Sequence, residues 1–169
     1  MYAPSKNQAS GSSIARWKPN TSAALAPKVD VLITVVVNAD QTETVLFGEN
    51  GAVPHMKPGA VVIASATVSP EFAKALGKRL TEAGLLMIDG PISGGAAKAM
   101  AGEMTVMSSG SPEAYAKCED VLDAIAGKVY RLGDEVGPGS VVKMVNQHSK
   151  TCVIQILFNK RFTEQWKRT

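Results

Sequence analysis

Short apolar runs alternate with amphipathic stretches along the chain. The first is Val29 and Val31–Val37, most of whose members are β-branched; Ala60–Ala64, Leu85–Ile88, Met104–Met107 and Val129–Leu132 follow. A run that is apolar on both faces suits a strand covered on both sides of a parallel sheet. The intervening stretches carry helix signals. Asp40, with Glu43 at the capping-box spacing, opens a predicted helix to about Phe47, and Gly48 stops it. Ser69-Pro70 opens a second to about Ala83, with Phe72, Ala75, Leu76 and Leu80 on one face and Gly84 closing it. The stretch Ser108-Ser109-Gly110-Ser111-Pro112 starts a third, to about Ala126. A short helix around Thr21–Ala26 and a helical turn at Ala52–Met56 complete the pattern. Strands and helices alternating at this spacing predict an α/β fold with a mostly parallel, doubly wound sheet. In such sheets ligands sit at the carboxyl ends of the strands. Here those ends are Val37-Asn38, Ser65-Ala66-Thr67 and Pro91-Ile92-Ser93-Gly94-Gly95.

Two stretches carry candidate chemistry. In Asp89–Met107 a strand leads into a proline, a serine and paired glycines, then a short small-residue helix and another strand. A serine beside two glycines at a strand's end lets backbone N–H groups approach a carboxylate or phosphate closely; a ligand-free βα turn reads the same way. Farther on, Gly137 and Gly139 open a helix on which Lys143, Asn146 and Gln147 fall at i, i+3 and i+4, on one face. A lysine and two amides on one face can hold a polar substrate and move a proton, although an ordinary solvated face has the same spacing.

Charge refines this picture. Residues 148–169 hold five basic residues against one acid, and residues 1–28 hold four basic residues and no acid. The 18 basic and 15 acidic residues of the chain therefore leave 9 and 14 for residues 29–147, a net of −5. The overall +3 comes from the two ends, so it is poor evidence for a nucleic-acid-binding body. With 45% hydrophobic and 20% charged residues the composition is ordinary for a globular domain, and no apolar run approaches the roughly 20 residues of a membrane span. Cys118 and Cys152 make no disulfide or metal framework, and His55 and His148 stand alone; the expected compartment is the reducing cytoplasm, with no metal.

With these segments in place the chain resembles the β-hydroxyacid dehydrogenase family, and within it the L-threonate dehydrogenase-like branch. The family's substrate signature, D-x-P-x-S-G-G followed by A-x-x-G and a short strand, is filled from Asp89 to Met107. Its catalytic signature, a Gly-rich turn and K-x-x-N-(N/Q), is matched by Gly137, Gly139, Lys143, Asn146 and Gln147, and its cofactor loop by Ser65, Thr67, Val68 and Pro70. The resemblance implies reversible hydride transfer between NAD or NADP and a small 3-hydroxy acid of the L-threonate or 3-hydroxyisobutyrate type. It makes Lys143 the general acid/base, Ser93, Gly94, Gly95, Asn146 and Gln147 the substrate-binding residues, and Val36, Val37, Asn38 and Thr67 the cofactor-binding ones. Full-length relatives are expected to be homo-oligomers.

The resemblance covers roughly residues 29–147. The G-x-G-x-x-G fingerprint that seats a pyrophosphate is absent, and after Gln147 the sequence is not the Ala-rich helical domain of the family. The expected organisation is a poorly ordered segment (1–28), a partial NAD(P)-binding domain (29–135), the start of the catalytic helix (136–147) and a divergent basic tail (148–169). The expected fold is an incomplete Rossmann-like sheet with helices on both faces, lacking the first βαβ unit and the C-terminal all-α domain. On that reading the chain is an incomplete dehydrogenase. The alternative is a non-catalytic NADP-binding or interaction fragment that pairs with a full-length homologue. A third option gives the basic tail, with Phe158, Phe162 and Trp166 at i, i+4 and i+8, a membrane- or nucleic-acid-binding amphipathic helix.

Overall fold

The structure, a computed structural model, describes residues 21–149. The expectations for the basic tail from residue 150 onward, and for residues 1–20, lie outside the described residues. The chain runs α1 (Ser22–Leu25), β1 (Val31–Thr34), α2 (Ala39–Phe47), β2 (Val61–Ala64), α3 (Pro70–Glu82), β3 (Leu86–Asp89), β4 (Ile92–Ser93), α4 (Gly95–Ala101), β5 (Met104–Gly110), α5 (Pro112–Ile125) and β6 (Ala126–Arg131). The described residues close on a further helix, α6, at 138–149. Short 3₁₀ turns at Ala26–Lys28 and Val53–His55 replace parts of the predicted helical stretches.

Among the described residues six strands form one sheet in the order β1-β2-β3-β5-β4, with β6 also paired to β5. β1, β2 and β3 are parallel and in register, so Thr34, Ala64 and Asp89 end at one edge. β5 runs antiparallel to β3 through only two residue pairs, Ile88 with Gly110 and Asp89 with Ser109, before it turns away between β4 and β6. That turn curls the sheet.

Side chains alternate across β2, and all four of its residues are buried. Val62 and Ala64 join Leu46, Leu76 and Leu80 from α2 and α3 on one face. Val61 and Ile63 join Ala114, Tyr115, Cys118 and Leu122 from α5 on the other. Helices thus cover both faces, which is why the central strands read as continuous apolar runs. Ser69 and Ser111 cap α3 and α5 as their Ser-Pro pairs predict, each accepting the N–H three residues on at 3.2 Å.

Three local expectations are corrected. The first strand stops at Thr34, because its partner among the described residues, β2, ends opposite at Ala64; Val35 and Val37 lie beyond the ladder, 68% and 76% exposed. The cap of α2 is Asn38 rather than Asp40: Asn38 Oδ1 accepts Gln41 N–H at 3.0 Å, and Gln41 Oε1 accepts Val37 N–H at 3.0 Å. Asp40 sits instead in the first turn, where negative charge suits the helix dipole. The fourth strand continues past Met107 to Gly110, because Ser108 and Ser109 are satisfied inside the core. Tyr115 donates its hydroxyl to Ser108 Oγ at 2.9 Å, and Ser108 donates to the Tyr130 carbonyl at 3.0 Å.

Candidate functional site

The three parallel strands bring the loops 35–38, 65–69 and 90–95 to one edge of the sheet. After Asp89 the chain turns through Gly90-Pro91 into the two-residue β4 and then reverses into α4. Gly94 (φ 146°) and Gly95 (φ 72°) make that reversal, both in backbone regions that side-chain-bearing residues rarely occupy. Ser93, Gly94 and Gly95 line an open cleft of about 740 Å³ together with Lys98, Thr105 and Lys143.

Lys143 reaches this cleft from α6, half-buried, and its Nζ donates to the Ile92 carbonyl at 2.7 Å, one residue before Ser93. The start of α6 is held by a buried carboxylate. Asp89 Oδ2 accepts the N–H groups of Gly137 (3.2 Å) and Ser140 (2.8 Å), and Oδ1 accepts the Ser140 hydroxyl at 2.7 Å. Ser109 donates to Oδ2 at 3.5 Å and its Oγ accepts Gly139 N–H at 3.0 Å. The orphan N–H groups of a helix start thus find partners on two neighbouring strands. The approach is close: a Cβ on Gly139 would lie 2.6 Å from the carbonyl oxygens of both Asp89 and Met107.

Asn146, on the turn after Lys143, places Nδ2 3.8 Å from Met107 Sδ. Gln147 is exposed and lines a second cleft, of about 440 Å³, with Thr67, Val68, Ser69, Met144 and His148. Ser65, at the carboxyl end of β2, keeps a buried Oγ without a hydrogen-bond partner among the described residues. Val36 is half-buried and Val37 and Asn38 are exposed; all three follow β1 and line neither cleft, and the Asn38 side chain is engaged in capping α2. The structure therefore gathers Ser93, Gly94, Gly95 and Lys143 in one place and Thr67 and Gln147 in another.

Asp89, Ser109 and Ser140 were not among the candidate site residues. The available signal was an acid closing the otherwise apolar run Leu85–Ile88, which demands buried donors. Burial pushes the Asp89 carboxyl up, against the opposing pull of the Ser140 and Gly137 donors. A native carboxyl raised above its unfolded value of about 3.9 gives stability that is complete below that value and is lost as pH rises through the native one. Asp89→Asn, which does not titrate, is expected to lack this loss. The measurement is the difference in urea unfolding free energy between the two proteins across the acidic range; a difference that does not change with pH counts against it. Among the described residues no group of three or more His, Cys, Asp and Glu side chains could hold a metal ion. No helix among them is long and apolar enough to cross a membrane.

Comparison with known proteins agrees with this geometry. Residues 5–133 match the family described as the NAD binding domain of 6-phosphogluconate dehydrogenase. The chain is 65% identical over 125 residues to an L-threonate dehydrogenase of Cupriavidus necator, covering 74% of this chain and 42% of the relative. It is 52% identical over 124 residues to the L-threonate dehydrogenase of Pectobacterium atrosepticum, covering 73% and 41%. Among solved structures, a 3-hydroxyisobutyrate dehydrogenase from Salmonella typhimurium superposes with a TM-score of 0.73 at 46% identity, over 75% of this chain and 44% of that one. Psf3 in complex with NADP+ and 2-OPP gives 0.71 at 27% identity, over 77% and 45%. The chain spans about two fifths of the length of the curated relatives it matches. The strand order, the loops gathered at one edge and the family match over three quarters of the sequence have one reading: the chain belongs to the family of the NAD binding domain of 6-phosphogluconate dehydrogenase.

Proposed function

We propose that the chain is the cofactor- and substrate-loop portion of an NAD(P)-dependent dehydrogenase acting on a small 3-hydroxy acid of the L-threonate type. The observation that carries this reading is the Lys143 ammonium held 2.7 Å from the Ile92 carbonyl, in the same cleft as Ser93, Gly94 and Gly95. Ser93 and the glycine pair offer a hydroxyl and unobstructed backbone to a substrate carboxylate. As the neutral amine Lys143 takes the hydroxyl proton on oxidation, becoming the ammonium, and as the ammonium it returns that proton to the carbonyl oxygen on reduction, placing positive charge beside the alkoxide that develops there. Asn146 and Gln147 lie one turn after Lys143 on α6, Gln147 on the wall of the second cleft, and would orient the substrate.

The second cleft fits the nicotinamide end of a dinucleotide. It pairs polar Thr67 with apolar Val68 and Met144, and the unpartnered Ser65 hydroxyl lies two residues from Thr67. Thr67 would hold the cofactor there, with Val36, Val37 and Asn38 across the neighbouring strand end. NAD or NADP supplies the hydride acceptor, so that substrate oxidation moves a hydride from carbon and a proton from oxygen. A cytoplasmic setting goes with this reading, and homo-oligomeric assembly is expected of full-length relatives.

The chain mixed with NAD or NADP and L-threonate is expected to produce reduced nicotinamide, followed by its near-ultraviolet absorbance. Saturable cofactor binding without turnover would favour the second reading, an NADP-binding or interaction fragment that pairs with a full-length homologue. One feature of α6 favours that alternative: Val141, Val142, Met144 and Val145 are exposed, Val145 by 64%.

A further inference from the structure

Asp89 closes β3 immediately before the substrate loop, and its carboxylate is the point at which that loop and α6 meet. Four contacts make the junction: two N–H groups from the start of α6, the Ser140 hydroxyl and the Ser109 hydroxyl all donate to it. Every one of these groups is a donor, the pattern an ionised carboxylate requires. Asp89 is 1% exposed, so water offers these donors no substitute. Ser140 lies one helical turn before Lys143, and Lys143 in turn donates to Ile92, three residues after Asp89. Asp89 and Ile92 therefore grip the same turn of α6 at its two ends. The spacing of that turn is about 4.5 Å along the axis.

We propose that Asp89 is a positioning residue for Lys143: by anchoring the start of α6 to the end of β3 it fixes where the lysine ammonium stands over the substrate loop. This rests on the proposed role of Lys143, but its consequence is a property of the amine itself. Without the carboxylate, the Gly137 and Ser140 N–H groups lose a buried charged acceptor. Each such bond is worth about a tenfold change in an equilibrium constant or more. The start of α6 then opens locally while the rest of the sheet stays paired, and Lys143 leaves the Ile92 carbonyl for water. Asparagine can keep most of the junction, since its carbonyl oxygen accepts the two N–H groups and its amide donates to Ser140 Oγ.

The test is the rate at which an amine-reactive reagent labels Lys143, read by peptide mass spectrometry beside Lys78, which is exposed and 81% accessible at its side chain. In Asp89→Ala, Lys143 labelling is expected to rise by about tenfold, with Lys78 unchanged; in Asp89→Asn it is expected to stay within about twofold of the parent. If Asp89→Ala does not fold, Ser140→Ala removes the single 2.7 Å hydroxyl contact and is expected to raise the rate to an intermediate value. A folded Asp89→Ala or Ser140→Ala protein whose Lys143 labels at the parental rate overturns the proposal. The readout needs no turnover. If Lys143 is not the acid/base, the labelling still responds to Asp89 while the kinetic assay of the dehydrogenase fails, so the two failures are separate.

Discussion

On the proposed dehydrogenase function, Lys143→Ala is expected to lower kcat with L-threonate by about 10² to 10⁴, the range for removal of a positioned general acid or base. The fold should remain. α6 stays held at its start by Asp89 and Ser109, and losing the Nζ contact to Ile92 costs about 1 kcal/mol. A change confined to KM would mean that the lysine binds substrate and transition state equally, which is not the behaviour of a proton carrier. Lys143→Arg separates charge from proton transfer. The guanidinium keeps the positive charge but does not give up its proton at ordinary pH. A variant that retains substrate affinity with little turnover supports the acid/base role. One that retains turnover within about tenfold of the parent sinks it. The measurement is steady-state kinetics across pH, in parallel with circular dichroism to confirm folding.

How the site could be foreseen follows from which interactions are local. Ser69 and Ser111 capped their helices as expected because a cap is settled within four residues. The apolar runs became strands because both faces of the sheet are covered, leaving no polar alternation to recognise. The Ser93-Gly94-Gly95 loop and Lys143 were legible as separate stretches, but their meeting was not. It depends on Asp89, 51 residues from Ser140 along the chain, and on β5 turning antiparallel beside β3. The same distance effect misassigned Ser108 and Ser109. Two serines after Met107 resemble a loop until Tyr115, Asp89 and Gly139 are seen to satisfy them. Asn38 displaced Asp40 as the cap of α2 because the strand before it stopped early, at the last pair of the β1–β2 ladder. For the loop, Lys143 and the two serines the deciding partner lay on another element; for Asn38 it was Gln41, within the same helix.

Gly139→Ala should destabilise the protein by about 2–4 kcal/mol, although in an ordinary helix the same change gains up to about 1 kcal/mol. The reversal of sign comes from space alone. No unusual backbone angle is involved at Gly139, whereas a Cβ there would lie 2.6 Å from two backbone carbonyl oxygens and 3.1 Å from Asp89 Oδ2. None of the three is the free end of a flexible side chain: two are main-chain atoms of paired strands, and the third is fixed by the Ser140 and Gly137 N–H groups. Relief requires the start of α6 to move away from β3 and β5. That lengthens the Gly139 N–H contact to Ser109 and loosens the Asp89 junction, so Lys143 should shift with it. Gly95→Ala is the matched control. A Cβ there meets nothing within 4 Å, and its cost, about 1–2 kcal/mol, arises from a φ of 72°. In urea unfolding both variants lower the midpoint. Only Gly139→Ala is expected to raise Lys143 labelling as well, because only its clash lies between the helix and the strands that aim it. Equal stability for Gly139→Ala and the parent would show that α6 is not seated against β3 and β5 as closely as 2.6 Å requires.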